Sequence, residues 1–182
     1  MNKTFFTSDL HFGHANVIKY DGRPFTSVEE MDATMIRRWN ETVGPKDTVY
    51  VLGDISWYKA DRTLEITGLL HGNKILIRGN HDRLRGSAYD AFSAIHNYLE
   101  LNLDGRHITL CHYPIPFFNM QRHNAVMLYG HVHNTKEWDT VRKLRNEAWD
   151  RGEPCHLYNV GCMIWDYRPV TLEEIMENQE MG

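Results

Sequence analysis

An α/β fold with a mixed sheet or a pair of sheets is what this 182-residue chain predicts, and three observations carry that reading. Short apolar runs of strand length alternate with stretches of helical periodicity from one end to the other. The apolar runs end in small clusters of His, Asp or Asn, as strands do when they feed loops at one edge of a sheet. Asp104-Gly105 separates two strand-like runs, which is a hairpin signal.

Lys3 to Thr7 reads as a buried first strand that stops in SDLHFGH, with a helix expected to start near Val17. Ser27-Val28-Glu29-Glu30 is a capping box, and Met31, Met35, Ile36 and Trp39 then recur at helical spacing. Thr48 to Leu52 is β-branched and apolar and stops at Gly53-Asp54. Ala60 to Leu70 is helical, and Lys74 to Arg78 is a strand that stops at Gly79-Asn80-His81-Asp82. Tyr98 to Leu103 and His107 to Cys111 form the hairpin, and Ala125 to Tyr129 is a strand running into Gly130. Glu137 to Trp149 is a charged amphipathic helix with Trp138, Val141, Leu144 (or Arg145) and Trp149 on its apolar face. His156 to Val160 is a late strand, and Thr171-Leu172-Glu173-Glu174 caps a final helix. No repeat, low-complexity tract or linker interrupts this order, so residues 1–182 read as a single domain.

Composition narrows the function classes. The chain is 42% hydrophobic and 24% charged, an ordinary globular balance. A formal charge of −4 gives no broad basic face, so long nucleic acid is not the expected partner, whereas small phosphate esters remain open. Cys111, Cys155 and Cys162 form no CxxC pair, and the start of the chain turns polar too early for a secretory signal. A cytoplasmic setting without a membrane anchor is expected, and oligomeric state is not readable. No GxSxG, P-loop, GxGxxG or HExxH motif is present.

The 11 histidines are the outlier, and several sit at the ends of apolar runs. Asp9 and His11, Asp54, Asn80 and His81, His112, and His131 and His133 close five such runs. In an extended segment His131 and His133 would point to one face, as a chance pair, a polar edge or two metal ligands. Taken singly, each cluster is an ordinary turn or polar strand end. Together they offer Asp, His and Asn at the same ends of successive strands, a set that suits Mn, Fe, Co, Ni or Zn. Alternation in ITLCH turns Cys111 away from His112, so the thiol belongs to the core, and no thiolate structural zinc site is implied. His71, His96, His107, His123 and His156 have no such context and read as ordinary polar residues.

The series Asp9-x-His11, Gly53-Asp54, Gly79-Asn80-His81-Asp82, Cys111-His112 and Gly130-His131-x-His133 resembles the calcineurin-like metallophosphoesterase superfamily. Tyr158-Asn159-Val160-Gly161 looks like the strand that follows the last block in small members, and DLHFGHANVIKYDGRPF is similar to small bacterial and phage members. The resemblance implies a four-layer α/β/β/α sandwich with two packed mixed sheets and helices outside. It also implies a dinuclear centre. Asp9, His11 and His133 would hold one divalent ion, Asn80, His112 and His131 the other, and Asp54 with a water or hydroxide would bridge them. Manganese is the first expectation, with iron, zinc, nickel or cobalt as alternatives. His81 matches the histidine that protonates or stabilises the leaving oxygen.

Two ions about 3.5–4 Å apart clamp the attacking and leaving oxygens of an in-line displacement and supply hydroxide near neutral pH. The expected activity is therefore hydrolysis of phosphomonoester or phosphodiester bonds in a small substrate, a nucleotide or related ester. The alternatives are a nuclease acting on nucleic-acid ends and a metal-binding scaffold without catalysis. Unlike the protein-phosphatase branch, Gly53-Asp54 runs on as Ile55-Ser56-Trp57, without the second Asp and the Arg. Asp82 or an ordered water is left as the expected partner of His81. For substrate binding the expected residues are His14, Asn16 and Arg23 after the first strand and Arg78 beside Asn80. Their alternative is structural: His14 and Asn16 as helix caps, Arg23 on the surface. Tyr113, Phe117 and Phe118 either stack on a base or tuck into the core, with the core favoured.

Overall fold

The computed structural model describes residues 2–83 and 85–178. In chain order the elements are β1 (Thr4–Thr7), α1 (Ala15–Tyr20), α2 (Val28–Thr42), β2 (Thr48–Val51), α3 (Ala60–Gly68), β3 (Asn73–Ile77), β4 (Ala94–His96), β5 (Tyr98–Leu103), β6 (Arg106–Cys111), β7 (Val126–Tyr129), α4 (Lys136–Asp150), β8 (His156–Asn159), β9 (Val170–Thr171) and α5 (Leu172–Glu177). One sheet runs β4-β3-β2-β1-β9 and the other β5-β6-β7-β8. Both are mixed. Strands β1 to β4 pair in parallel and β9 joins β1 antiparallel, while the β5–β6 hairpin is antiparallel and β6, β7 and β8 are parallel.

Side-chain alternation along the strands builds three apolar layers. Phe5, Val49 and Val51 face helices α1 to α3, where Val17, Met31, Met35, Trp39 and Ile66 are buried. Phe6, Leu52 and Ile77 from the first sheet meet Ile108, Leu110, Val126, Leu128 and Tyr158 from the second. Met127, Tyr129 and Leu157 face outward again, under α4 and its Ala148. Three apolar layers separate four structural ones, helix, sheet, sheet, helix. Each central strand is therefore covered on both faces, which is why these strands read as continuous apolar runs.

Local chemistry explains the helix starts. Thr171 and Glu174 form a reciprocal capping box at α5. At α2 the expected box is only half made: Ser27 Oγ accepts the Glu30 N–H, but the Glu30 carboxylate takes the N–H and hydroxyl of Thr26 instead. Helix α1 begins at Ala15, two residues earlier than expected, with His14 at its N-cap and no side-chain cap bond. Asn16 therefore sits in the first turn and caps nothing. Arg145 of α4 is buried, its guanidinium over the rings of Trp149 and Tyr158 at 4.9 and 5.3 Å. Among the described residues no helix is long and apolar enough to cross a membrane.

Candidate metal centre

The carboxyl ends of β1, β2, β3, β6 and β7 bring all seven expected ligands to one place. The loops after β1 and β2 extend the sheet beyond its strands: Asp9 N–H donates to Gly53 O at 3.0 Å, His11 N–H to Asp54 O at 2.9 Å, and Phe12 N–H to Ile55 O at 3.0 Å. From the second sheet, Gly130 N–H reaches His112 O at 2.9 Å. Glycine is required where the sheets meet. A Cβ on Gly53, whose φ is +91°, would lie 2.5 Å from His112 Nδ1 and 2.7 Å from the Gly79 backbone.

Within the cluster Asp9, His11 and His133 offer ligand atoms lying within 4.8 Å of one another, as do Asp9, Asp54 and His112. Asp54 Oδ2 lies 3.6 Å from both His11 Nε2 and His112 Nε2, so it stands between the two sets. Its other oxygen accepts the His81 N–H at 2.9 Å. Asp9 Oδ2 accepts the His131 N–H at 3.0 Å, and its Oδ1 is 3.4 Å from His133 Nε2. Asn80 Oδ1 is 3.0 Å from both His112 Nε2 and His131 Nδ1.

These contacts fit a cation. His112 Nδ1 is 2.7 Å from Leu52 O and must donate there, so in the neutral ring Nε2 carries a lone pair. That lone pair faces the carbonyl oxygen of Asn80 and the carboxylate of Asp54, an acceptor against acceptors. His11 Nε2 and His133 Nε2 face each other at 3.2 Å, and His11 Nδ1 is buried without a partner. Acceptor atoms of His112, Asn80 and Asp54 thus crowd one spot beside the Asp9 carboxylate. A divalent ion resolves such a set.

Charge around the cluster is strongly perturbed. Burial holds the His11 imidazole down to about 3, against the opposing pull of Asp9. Burial also favours neutral His133, but hydrogen bonds to Asp21 and Asp9 outweigh it and raise that ring to about 10. Burial raises Asp9, yet His133, His112 and His11 together bring it down to about 2. Asp54 is shifted up, chiefly by burial, with His112 and the His81 N–H opposing.

Five of the seven residues, Asp9, His11, Asp54, His131 and His133, have φ between 48° and 70°. Asp and His are among the few non-glycine residues that occupy this left-handed region with any frequency. This corrects the extended reading of His131-Val132-His133: both histidines sit in a turn, and the conformation of each backbone aims its ring. Asp9-Leu10-His11 repeats the device on the first sheet.

Other expected site residues fall differently. His14 and Asn16 line a cleft of about 830 Å³ over the cluster, together with Tyr20, Trp57, His81 and Glu137. Arg23 does not line it. Its guanidinium lies behind the ligands, buried, donating to Asp21 Oδ2, Leu10 O and Asp9 O at 2.9 Å each. It tethers the ligand loop and cannot reach a substrate phosphate. Arg78 does not line the cleft either; its N–H pairs with His96 O at the sheet edge. Asp82 does not orient His81. Its carboxylate is consumed by the N–H groups of Asp54, Ile55 and Gly79 at 2.7–3.0 Å, a charge-assisted clamp beneath the bridging position. The His81 ring stands exposed at the rim, 4.7 Å from the Trp57 ring. Phe118 is buried, as expected, whereas Phe117 is exposed and Tyr113 sets its ring 4.6 Å from that of His131.

Two residues were not anticipated. Asp21 Oδ1 lies 2.7 Å from His133 Nδ1, buried and paired with Arg23, and fixes the ring so that Nε2 faces the cluster. Trp57 stacks on His14 with ring centroids 4.1 Å apart and planes within 7°. Only the Asp-Gly-Arg turn hinted at the first, and nothing but an aromatic after Gly53-Asp54 at the second.

The chain is similar to known proteins over most of its length. The chain is 35% identical over 186 residues to an uncharacterized protein of Methanocaldococcus jannaschii, covering 100% of this chain and 94% of that one. It is 31% identical over 162 residues to the Gene 66 protein of Mycobacterium phage D29, covering 74% of this chain and 80% of that one. A solved structure of a protein of unknown function from Aquifex aeolicus superposes with a TM-score of 0.76 at 27% identity, covering 97% of this chain and 99% of that one. Residues 3–165 match the calcineurin-like phosphoesterase superfamily domain, which takes in every residue of the cluster, and the chain belongs to that superfamily.

Proposed function

We propose that this chain is a dinuclear, divalent-metal-dependent phosphoesterase that hydrolyses a monoester or diester bond of a small substrate, with a nucleotide or related ester as the class. The observation that carries the reading is the central position of Asp54 Oδ2, 3.6 Å from a histidine of each set. When bound, divalent ions supply Lewis-acid charge to the phosphoryl oxygens and an ionised water at neutral pH. Manganese is the first candidate, since carboxylate, amide and imidazole donors without thiolate suit it.

The chain's own residues divide the remaining work. Asp21 and Leu52 O hold the rings of His133 and His112 with their free nitrogens toward the cluster. Asp82 fixes the loop that presents Asp54, and Arg23 fixes the loop that presents Asp9. His81, at the rim, gives its proton to the departing oxygen. Among the described residues no Lys or Arg lines the cleft, so its attraction for phosphate rests chiefly on the ions.

Metal analysis and turnover test this together. Protein loaded with Mn²⁺ should carry about two ions per chain and hydrolyse bis(p-nitrophenyl) phosphate, with loss of turnover in chelator. Only trace metal after careful loading would end the reading.

A further inference from the structure

The cleft over the ligand cluster ends at a ridge, and a second groove of about 650 Å³ begins on the other side. Trp57 and His81 line both. The two linings differ in charge. The cleft carries Asp21, Asp54 and Glu137 and, among the described residues, no cation from Lys or Arg. The groove carries Lys59, Arg83 and Arg85. Its one carboxylate among the described residues, Asp82, already accepts from three backbone N–H groups. Lys59, Arg83 and Arg85 make no ion pair among the described residues, so their charge is not neutralised locally.

The wall between cleft and groove is aromatic. Trp57 is 48% exposed, so part of its ring is open to solvent at this ridge. His14, which lines only the cleft, stacks on it in parallel and braces its orientation. A rigid indole beside three unpaired cations is the chemistry that takes a planar base and a phosphate at once. The volume lies within the range of small-ligand sites. His81 borders the groove as well as the cleft, so a leaving part that takes His81's proton has the groove open to it.

We infer that the groove is a nucleotide subsite on the leaving-group side, with a base against Trp57 and a phosphate among Lys59, Arg83 and Arg85. The inference rests on the phosphoesterase reading and narrows it: the substrate is a phosphodiester whose leaving part is a nucleotide bearing a further phosphate. Water adds across the P–O bond, its hydroxyl joining phosphorus and a proton joining the departing oxygen.

The first test leaves the ions out. In EDTA, adenosine, inorganic phosphate and adenosine monophosphate are titrated calorimetrically into the protein. The monophosphate should bind at least about tenfold tighter than either of the others, and more weakly as salt rises. Arg83→Ala combined with Arg85→Ala should reduce that binding about tenfold, and Trp57→Ala should reduce it as well. Both arginines are exposed, so an unchanged melting temperature checks the fold of the double variant. Equal binding of adenosine and its monophosphate, or undiminished binding by the double variant, overturns the site. The second test uses the Mn²⁺-loaded enzyme on a dinucleotide with and without a phosphate on its leaving nucleotide. The phosphate-bearing form should be preferred about tenfold in kcat/KM, and the double variant should lose the preference. A preference that survives in the double variant also overturns the site. Binding as expected with no ester hydrolysed under any condition supports the subsite and overturns the phosphoesterase reading alone.

Discussion

Replacing Asp21 by Asn isolates the orientation of one ligand from the ligand itself. Asp21 touches no expected ion; it lies 2.7 Å from His133 Nδ1 and 2.9 Å from the Arg23 guanidinium, almost wholly buried. Asn keeps the shape but offers one oxygen where two were used, and its NH₂ then faces either a ring N–H or a guanidinium. The ring loses the partner that fixes its tautomer, and Nε2 is no longer held toward Asp9. Removing such a carboxylate behind a metal-bound histidine lowers affinity roughly 10–100-fold, about 1.4–2.8 kcal/mol. Competition with a fluorescent chelator across a Mn²⁺ series should show one of two binding phases weakened by that factor, the other little changed. A thermal melt without metal accompanies it, since the buried Arg23 also loses part of its counter-ion; a fall of a few degrees is expected. Unchanged Mn²⁺ affinity in both phases would refute the orienting role.

Arg23→Ala should act on stability first. It takes one of two partners from the buried Asp21 carboxylate, leaving His133, and frees two carbonyls, so a loss of about 3 kcal/mol and a melting temperature lower by about 10 °C are expected; a normal melt with a raised KM would return Arg23 to the substrate. His81→Ala should leave bound metal nearly intact and lower turnover about 10²–10⁴-fold, most for esters with poor leaving groups. Equal losses on nitrophenyl and alkyl esters would argue against the acid role. Gly53→Ala forces a Cβ against His112 and Gly79, so metal content and folded yield should fall together. Wild-type metal content in a well-folded Gly53→Ala chain would show that the two loops can separate.

How much was legible in the sequence depended on what each feature required of its residues. Strands β1, β2, β3 and β7 are apolar on both faces and announce themselves. Strand β9 has two residues and β4 three, too short for any periodicity to register. The cluster was legible because His, Asp and Asn at the ends of buried strands have few structural uses in such numbers. Its supports were not. Asp82 follows the Asn80-His81 block directly, Asp21 carries the same carboxylate as the ligand candidates, and Arg23 carries the charge a phosphate site would use, so sequence alone does not separate a residue facing the substrate from one behind the cluster. Arg23 is the clear case: its charge suggested phosphate, while its burial assigns it to two backbone carbonyls and a carboxylate.

The left-handed backbone at Asp9, His11, Asp54, His131 and His133 restricts how this centre can be re-engineered. Each of these positions must satisfy two independent demands, a donor atom and a positive φ. Cysteine and glutamate supply good donors, but they lack the tolerance of Asp, Asn and His for this conformation, and would add strain on the order of 1 kcal/mol at each site. Exchanges within Asp, Asn and His remain open, so donor charge can be tuned while donor softness cannot. A redesign toward thiolate-preferring metals would have to begin at Asn80 or His112, the two cluster positions whose backbones are free of this constraint.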